Sequence, residues 1–122
     1  MSPQRLDDPM LLRAALHSIG DAVIIHDETT VLYANPAALR LLRAPSAVDV
    51  LGHPVLELVH PDARQGMAER LRVVMENSTS VGGFVEKLQT FDGEPIYAEI
   101  NGSLVEGEDG NRAVMVVARQ VS

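Results

Sequence analysis

Four histidines, at positions 17, 26, 53 and 60, are the side chains here best suited to acid–base or metal chemistry, and no two share a paired ligand spacing. The chain has no cysteine, which excludes thiolate nucleophiles, thiolate metal sites and disulfides. Ser46, Ser78, Ser80 and Ser103 lie in segments with neither a nucleophile elbow nor an adjacent histidine, and Gly82-Gly83 lacks the Lys and Ser of a phosphate-binding loop. The carboxylate pairs Asp7-Asp8 and Glu108-Asp109 sit in a polar tail and a turn, where they read as solvated charge. No catalytic constellation emerges, so the expectation is a binding protein rather than an enzyme. His26 ends the short apolar run Ala22-Val23-Ile24-Ile25, two residues after Ile24, and its imidazole can donate or accept a hydrogen bond.

A chain of 122 residues is long enough for one domain with one real core. That core must be aliphatic, since 46% of residues are apolar but only two are Phe, two Tyr and none Trp. No run approaches the length of a bilayer span and the first residues lack the apolar stretch of a signal peptide, which suggests a cytoplasmic protein without a membrane contact. A formal charge of −7 without a Lys/Arg cluster argues against direct binding to nucleic acid.

The elements that would position these groups can be read in order. Residues 1–8 form a polar lead-in, and 9–19 an amphipathic flanking helix with Asp8 as cap, Pro9 at its first position, and Leu11 and Ala15 on its apolar face. Residues 20–122 form the domain proper. Strand 21–27 turns through Asp27-Glu28-Thr29-Thr30 into Val31-Leu32-Tyr33-Ala34, after which Asn35 caps a helix over 36–43 with Pro36 in its first turn and Pro45 beyond its end. Ser46 opens another short turn that exits at Gly52, and Val55–Val59 add one more. The longest helix spans 61–77, capped by His60, with Ala63, Met67, Leu71, Val74 and Met75 on its buried stripe and Arg64, Glu69, Arg70 and Arg72 mostly off it. Asn77–Ser80 and Gly82-Gly83 break that helix. Strands over 84–91 and 95–105 flank Asp92-Gly93, and a final strand, 113–121, runs apolar without alternation, which implies cover on both faces. The simplest assembly is α+β: a five-stranded, mainly antiparallel sheet with short helices and one long helix on one face, and strands 21–27 and 113–121 at its centre.

The strand that stops at Asn35-Pro36, the Leu51-Gly52-His53 turn, the Val59-His60-Pro61-Asp62 helix start, the Asp92-Gly93 hairpin and the ending Arg119-Gln120-Val121-Ser122 together resemble PAS sensory domains, over about residues 10–122. The resemblance implies that the first and last strands lie side by side, and that the domain passes a signal to an output domain beyond Ser122, as in histidine kinases, cyclic-dinucleotide enzymes or transcription regulators. Many PAS domains end in Asp-Ile-Thr, whose Asp ties the last strand to the outgoing helix. Here Gln120-Val121-Ser122 stands in that place, and Gln supplies no charge.

The family binds flavin, haem, small metabolites or nothing. In the similar light-oxygen-voltage domains a Cys attacks the flavin and Asn and Gln side chains bind its ring, whereas the matching positions here are Val55, Leu88, Ala98 and Ala118. Haem-binding relatives use an axial His on the long helix, and helix 61–77 has none. No cofactor is therefore expected. What remains is either a filled core or a pocket for a small, largely apolar ligand. Its walls would be Ile24, Leu39, Leu42, Val55, Leu58, Val59, Met67, Leu71, Leu88, Ile100, Val114 and Val116, with Ala98, Gly102 and Ala118 leaving room and His26 as polar anchor. Whether His26 anchors a ligand or is a structural histidine stays open. The outward residues Val23, Ile25, Met115 and Val117 need cover from the flanking helix, through Leu11 and Ala15, or from a second copy in a homodimer.

Overall fold

The computed structural model describes residues 15–77, 80–107 and 109–121. Residues 15–18 are helical and mostly exposed, Ile19 lies just beyond that turn, and residues 9–14 of the expected flanking helix, Leu11 included, lie outside the described residues. Then follow β1 (Ala22–His26), β2 (Val31–Ala34), α1 (Pro36–Leu42), α2 (Ala47–Val50), two 3₁₀ turns (Val55–Leu58 and Pro61–Ala63), α3 (Arg64–Asn77), β3 (Val81–Gln89), β4 (Pro95–Glu106) and β5 (Arg112–Gln120). The strands form one antiparallel sheet in the order β2-β1-β5-β4-β3, so the first and last strands are neighbours and β5 lies at the centre.

Local chemistry explains the boundaries. Asn35 has extended backbone, and its side-chain oxygen accepts the Ala38 N–H at 2.9 Å, which satisfies a donor that the first turn of α1 leaves free. α1 ends before Pro45, because Arg43 turns left-handed at φ 56° and donates its N–H back to the Arg40 and Leu39 carbonyls. The expected long helix divides: His60 Nδ1 accepts from the Asp62 N–H at 3.2 Å and opens a 3₁₀ turn, and the α-helical hydrogen bonding begins only at Arg64.

Gly82-Gly83, expected within the break, instead lies inside β3. The register slips between Val81 and Phe84, and Gly83, at φ 72°, takes the conformation this bulge requires. A Cβ on Gly82 would collide with the Asn101 side chain of β4, whose oxygen accepts the Gly83 N–H at 3.2 Å. At its other end β3 stops at Gln89, short of the expected 91. Asp92 accepts from the Thr90 hydroxyl at 2.5 Å and the Glu94 N–H at 3.0 Å, folding 90–94 into a wider turn that delivers Pro95 as the first residue of β4.

The inner face of β4 follows period two, with Ile96, Ala98, Ile100 and Gly102 buried. Ile96, Ala98 and Ile100 join Ala22, Ile24, Leu42, Leu58, Val59 and Leu88 in a core between the sheet and the helical segment. α3 contributes little: of its residues only Val74 is fully buried.

Candidate functional site

The inner sheet face and the segment from α1 to α3 border a partly open cavity of about 90 Å³. Its wall includes Ile24 and His26 from β1, Leu42 from α1, Val55 and Leu58 from the first 3₁₀ turn, Val59, Met67 and Leu71 from α3, Leu88 from β3, Ile100 from β4, and Val114 and Val116 from β5. The small residues Gly102 and Ala118 also face it.

Two residues expected on this wall are not there. Leu39 packs against the core from α1 only half-buried, while Leu42, almost one turn on, takes the inward position. Ala98 is wholly buried in the core but does not reach the cavity.

His26 is 2% exposed and its ring is on the wall. Its Nδ1 lies 2.8 Å from the Asp27 carbonyl, and because a carbonyl can only accept, Nδ1 carries the proton and Nε2 is the acceptor. Burial pushes the imidazole below its ordinary value of 6.5, outweighing the Asp27 carbonyl and charge that favour protonation. Asp27 itself is held below the usual carboxylate range by the Thr30 and Thr29 N–H groups, each 2.8 Å from its Oδ1. His26 is thus bonded to backbone through Nδ1 and also stands on the cavity wall.

The wall also contains residues that sequence reasoning missed: Arg70 and Val74 of α3, and Phe84 and Glu86 of β3. Arg70 was expected off the buried stripe. It stands three residues after Met67 and four before Val74, and so on their face of the helix. Its guanidinium pairs with the Glu86 carboxylate and lies 4.4 Å from the centre of the Phe84 ring. Glu86 is 6% exposed. The parity that turns Leu88 inward does the same for Glu86 and Phe84, and that was the available signal.

The polar groups lie toward opposite ends of the wall. Glu86 pairs across the sheet with Ala98 and thence Gln120, whereas His26 pairs with Val114. Six residues of β5 separate those rows, on the order of 20 Å along the strand at ~3.3 Å per residue.

The other histidines have separate places. His53 packs edge-on against Phe91 with ring centroids 5.4 Å apart and approaches Glu57 at 3.8 Å; His60 caps the 3₁₀ turn; and His17 is exposed. On the outer sheet face Val23 is buried, and Ile25, Met115 and Val117 are half-buried. Ala15 is exposed.

No curated protein matches the chain in sequence. Among solved structures, a PAS domain from Colwellia psychrerythraea superposes with a TM-score of 0.80 at 20% identity, covering 93% of this chain and 98% of its own. A PAS domain of a two-component sensor histidine kinase superposes with a TM-score of 0.75 at 15% identity, over 97% of this chain and the whole of the other. An RNA-binding light-oxygen-voltage receptor gives 0.77 at 25% identity, with 99% of this chain matching 34% of that one. The family model for the PAS fold matches residues 11–121, nearly end to end, and the chain belongs to the PAS family.

Proposed function

We propose that this PAS domain is the ligand-sensing module of a larger signalling protein, in which a small, largely apolar molecule in the cavity biases the central sheet and is read by a linked output domain. The observation that carries this reading is the cavity itself. It is walled almost wholly by aliphatic side chains and joined by a few polar groups, the usual composition of a small-molecule site. Its ~90 Å³ compares with the about 150 Å³ at which an engineered apolar cavity accepts benzene. A compact ligand, or slight outward movement of the lightly buried α3, satisfies that size. Occupancy would act by population shift, favouring whichever packing of the wall accommodates the ligand.

Reading the module as flavin-free rests on the same wall. Val55, Leu88 and Ala118 line it where light-sensing relatives carry Cys, Asn and Gln, so the polar edge of a flavin ring would lose partners at about 1–3 kcal/mol each. The test is the melting temperature of the full chain against a library of small neutral and charged organic molecules. A reproducible rise with some chemical class supports the reading; no rise with any compound, together with an interior closed to probes such as xenon, overturns it.

A second reading, a homodimerising interaction module, is favoured by the half-buried outer residues Ile25, Met115 and Val117. Truncation of residues 1–18 then dissociates the dimer or leaves an aggregating sheet. A truncated chain that stays monomeric and soluble, from a parent that was monomeric as well, sinks it. Both readings can hold at once, because β5 supplies the cavity wall with alternate residues and the outer face with those between.

A further inference from the structure

The ion pair at one end of the cavity has an asymmetry that bears on what the cavity can bind. Glu86 is nine-tenths buried and the bond drawn to its carboxylate comes from Arg70. The Arg70 side chain is 35% exposed, sits on the lightly buried α3, and has its Nε enclosed without a hydrogen-bond partner. Gly66, one turn earlier, leaves the guanidinium space, since a Cβ there would stand 3.3 Å from Nη1. If the pair opens, the Arg70 guanidinium can reach water along its flexible stem, whereas Glu86, fixed on a strand and buried, would be left as an unpaired interior charge. Of the two, the carboxylate is the partner that must be replaced from within the cavity.

We propose that the buried Glu86 carboxylate and the Phe84 ring form a cation subsite of the cavity, occupied in the empty protein by the chain's own Arg70 and opened to an organic cation, a protonated amine on a short apolar body, when Arg70 swings outward. This rests on the cavity being a ligand site and names the class of ligand. The ammonium replaces the guanidinium against both Glu86 and the ring face, and the hydrocarbon lies along Leu71, Ile100 and Ala118. An anionic ligand would have to take Arg70 from Glu86 and leave two carboxylates competing for one guanidinium beside the buried Glu86. The formal charge of −7 adds a favourable field for a cation.

The experiment is calorimetric titration of the full chain with pentylammonium chloride, sodium pentanoate and pentanol, which share one body and differ in head group, at neutral pH where the amine is protonated. Wild type binds pentylammonium more tightly than pentanol, and pentanoate weakest. Arg70→Ala removes the internal competitor and tightens pentylammonium binding about tenfold or more. Glu86→Gln loses about tenfold or more for the ammonium while leaving pentanol unchanged. Gly66→Ala, which crowds the guanidinium at its seat while leaving both charges in place, moves affinity in the direction of Arg70→Ala. Pentanol or pentanoate binding best, with Arg70→Ala weakening pentanoate, overturns the cation subsite while leaving a ligand-sensing cavity. No binding of any probe to wild type or to Arg70→Ala overturns the cation subsite, and the ligand-sensing reading falls with it only if the compound library and xenon are negative as well. Thermal melts of each variant establish that it is folded before titration.

Discussion

Asn35 concentrates more of this fold in one side chain than any other polar residue described. Wholly buried, it accepts the Val23 and Ala38 N–H groups through Oδ1, each at 2.9 Å, and donates from Nδ2 toward the Leu16, Ile19 and Asp21 carbonyls. The amide thereby joins the segment before the sheet, the first strand and the first helix. Asn35→Ala leaves two buried N–H groups unpaired, at roughly 1–3 kcal/mol each, and should lower the urea midpoint accordingly. Asn35→Asp retains the acceptor and loses the donor, so hydrogen exchange should rise selectively over residues 15–21 while α1 stays protected. The sequence identified Asn35 as a helix cap, because capping is a relation across three residues. Its other partners lie 12 to 19 positions away and are set by the fold, out of reach of any local pattern. His26 yields a second prediction at this scale. Burial lowers its pKa, so the unfolded chain takes up a proton before the folded one does. Its contribution is intact above the ordinary value of 6.5 and is lost as pH falls below it toward the depressed folded value. His26→Gln should abolish that acid-side loss in urea titrations run through this window.

Among the elements, the hairpin of β3 (Val81–Gln89) and β4 (Pro95–Glu106) is joined to the helical layer through its turn. The Phe91 N–H donates to the Leu42 carbonyl at 2.8 Å, and Asp92 meets Arg43 at 2.9 Å. The Thr90 hydroxyl, the Glu94 N–H and the Arg43 guanidinium together hold the Asp92 carboxyl down to about 2. Because its ordinary value is 3.8, the stability this group contributes is present above 3.8 and disappears as pH falls toward about 2. Asp92→Asn should flatten that limb of the stability profile and leave the neutral region nearly unchanged, as befits a surface site. The helix α3 (Arg64–Asn77) shows why legibility differed between elements. Its apolar positions and approximate ends were plain from three- and four-residue steps, as were the period-two strand β4 and the Asn35-Pro36 boundary. A charge on the buried stripe defeats that reasoning, since periodicity counts Arg70 as polar and sends it outward. Only Glu86, on a strand sixteen residues further along, makes its inward position tolerable. The glycine bulge in β3 was equally hidden, because Gly82 answers to the Asn101 side chain on another strand.

For the whole molecule, the decisive arrangement is that β5 (Arg112–Gln120) serves two surfaces at once. Val114, Val116 and Ala118 face the cavity, and Met115 and Val117, between them, face outward beside Ile25 and Val23. Anything that repacks the interior therefore bears on the strand whose alternate side chains form the outer face of the sheet. The sequence contained this duality as an unbroken apolar run, but a run alone could not distinguish a hollow interior from a solid one. Volume depends on how all the walls meet. Ala118→Val probes the inner surface of the strand by itself. Its two added methyl carbons enter the cavity from a β-branched residue suited to a strand, and at about 0.8 kcal/mol per buried carbon the melting temperature should rise by a few degrees. The same variant should lose its response to small-molecule probes, as the space they need is occupied. Val117→Glu, one position away on the opposite face, should retain probe binding; where a second copy covers that face, as the second reading proposes, it shifts the sedimentation profile toward monomer. If Ala118→Val lowers the melting temperature, the interior is already tightly filled there, and β5 then acts through its outer face alone.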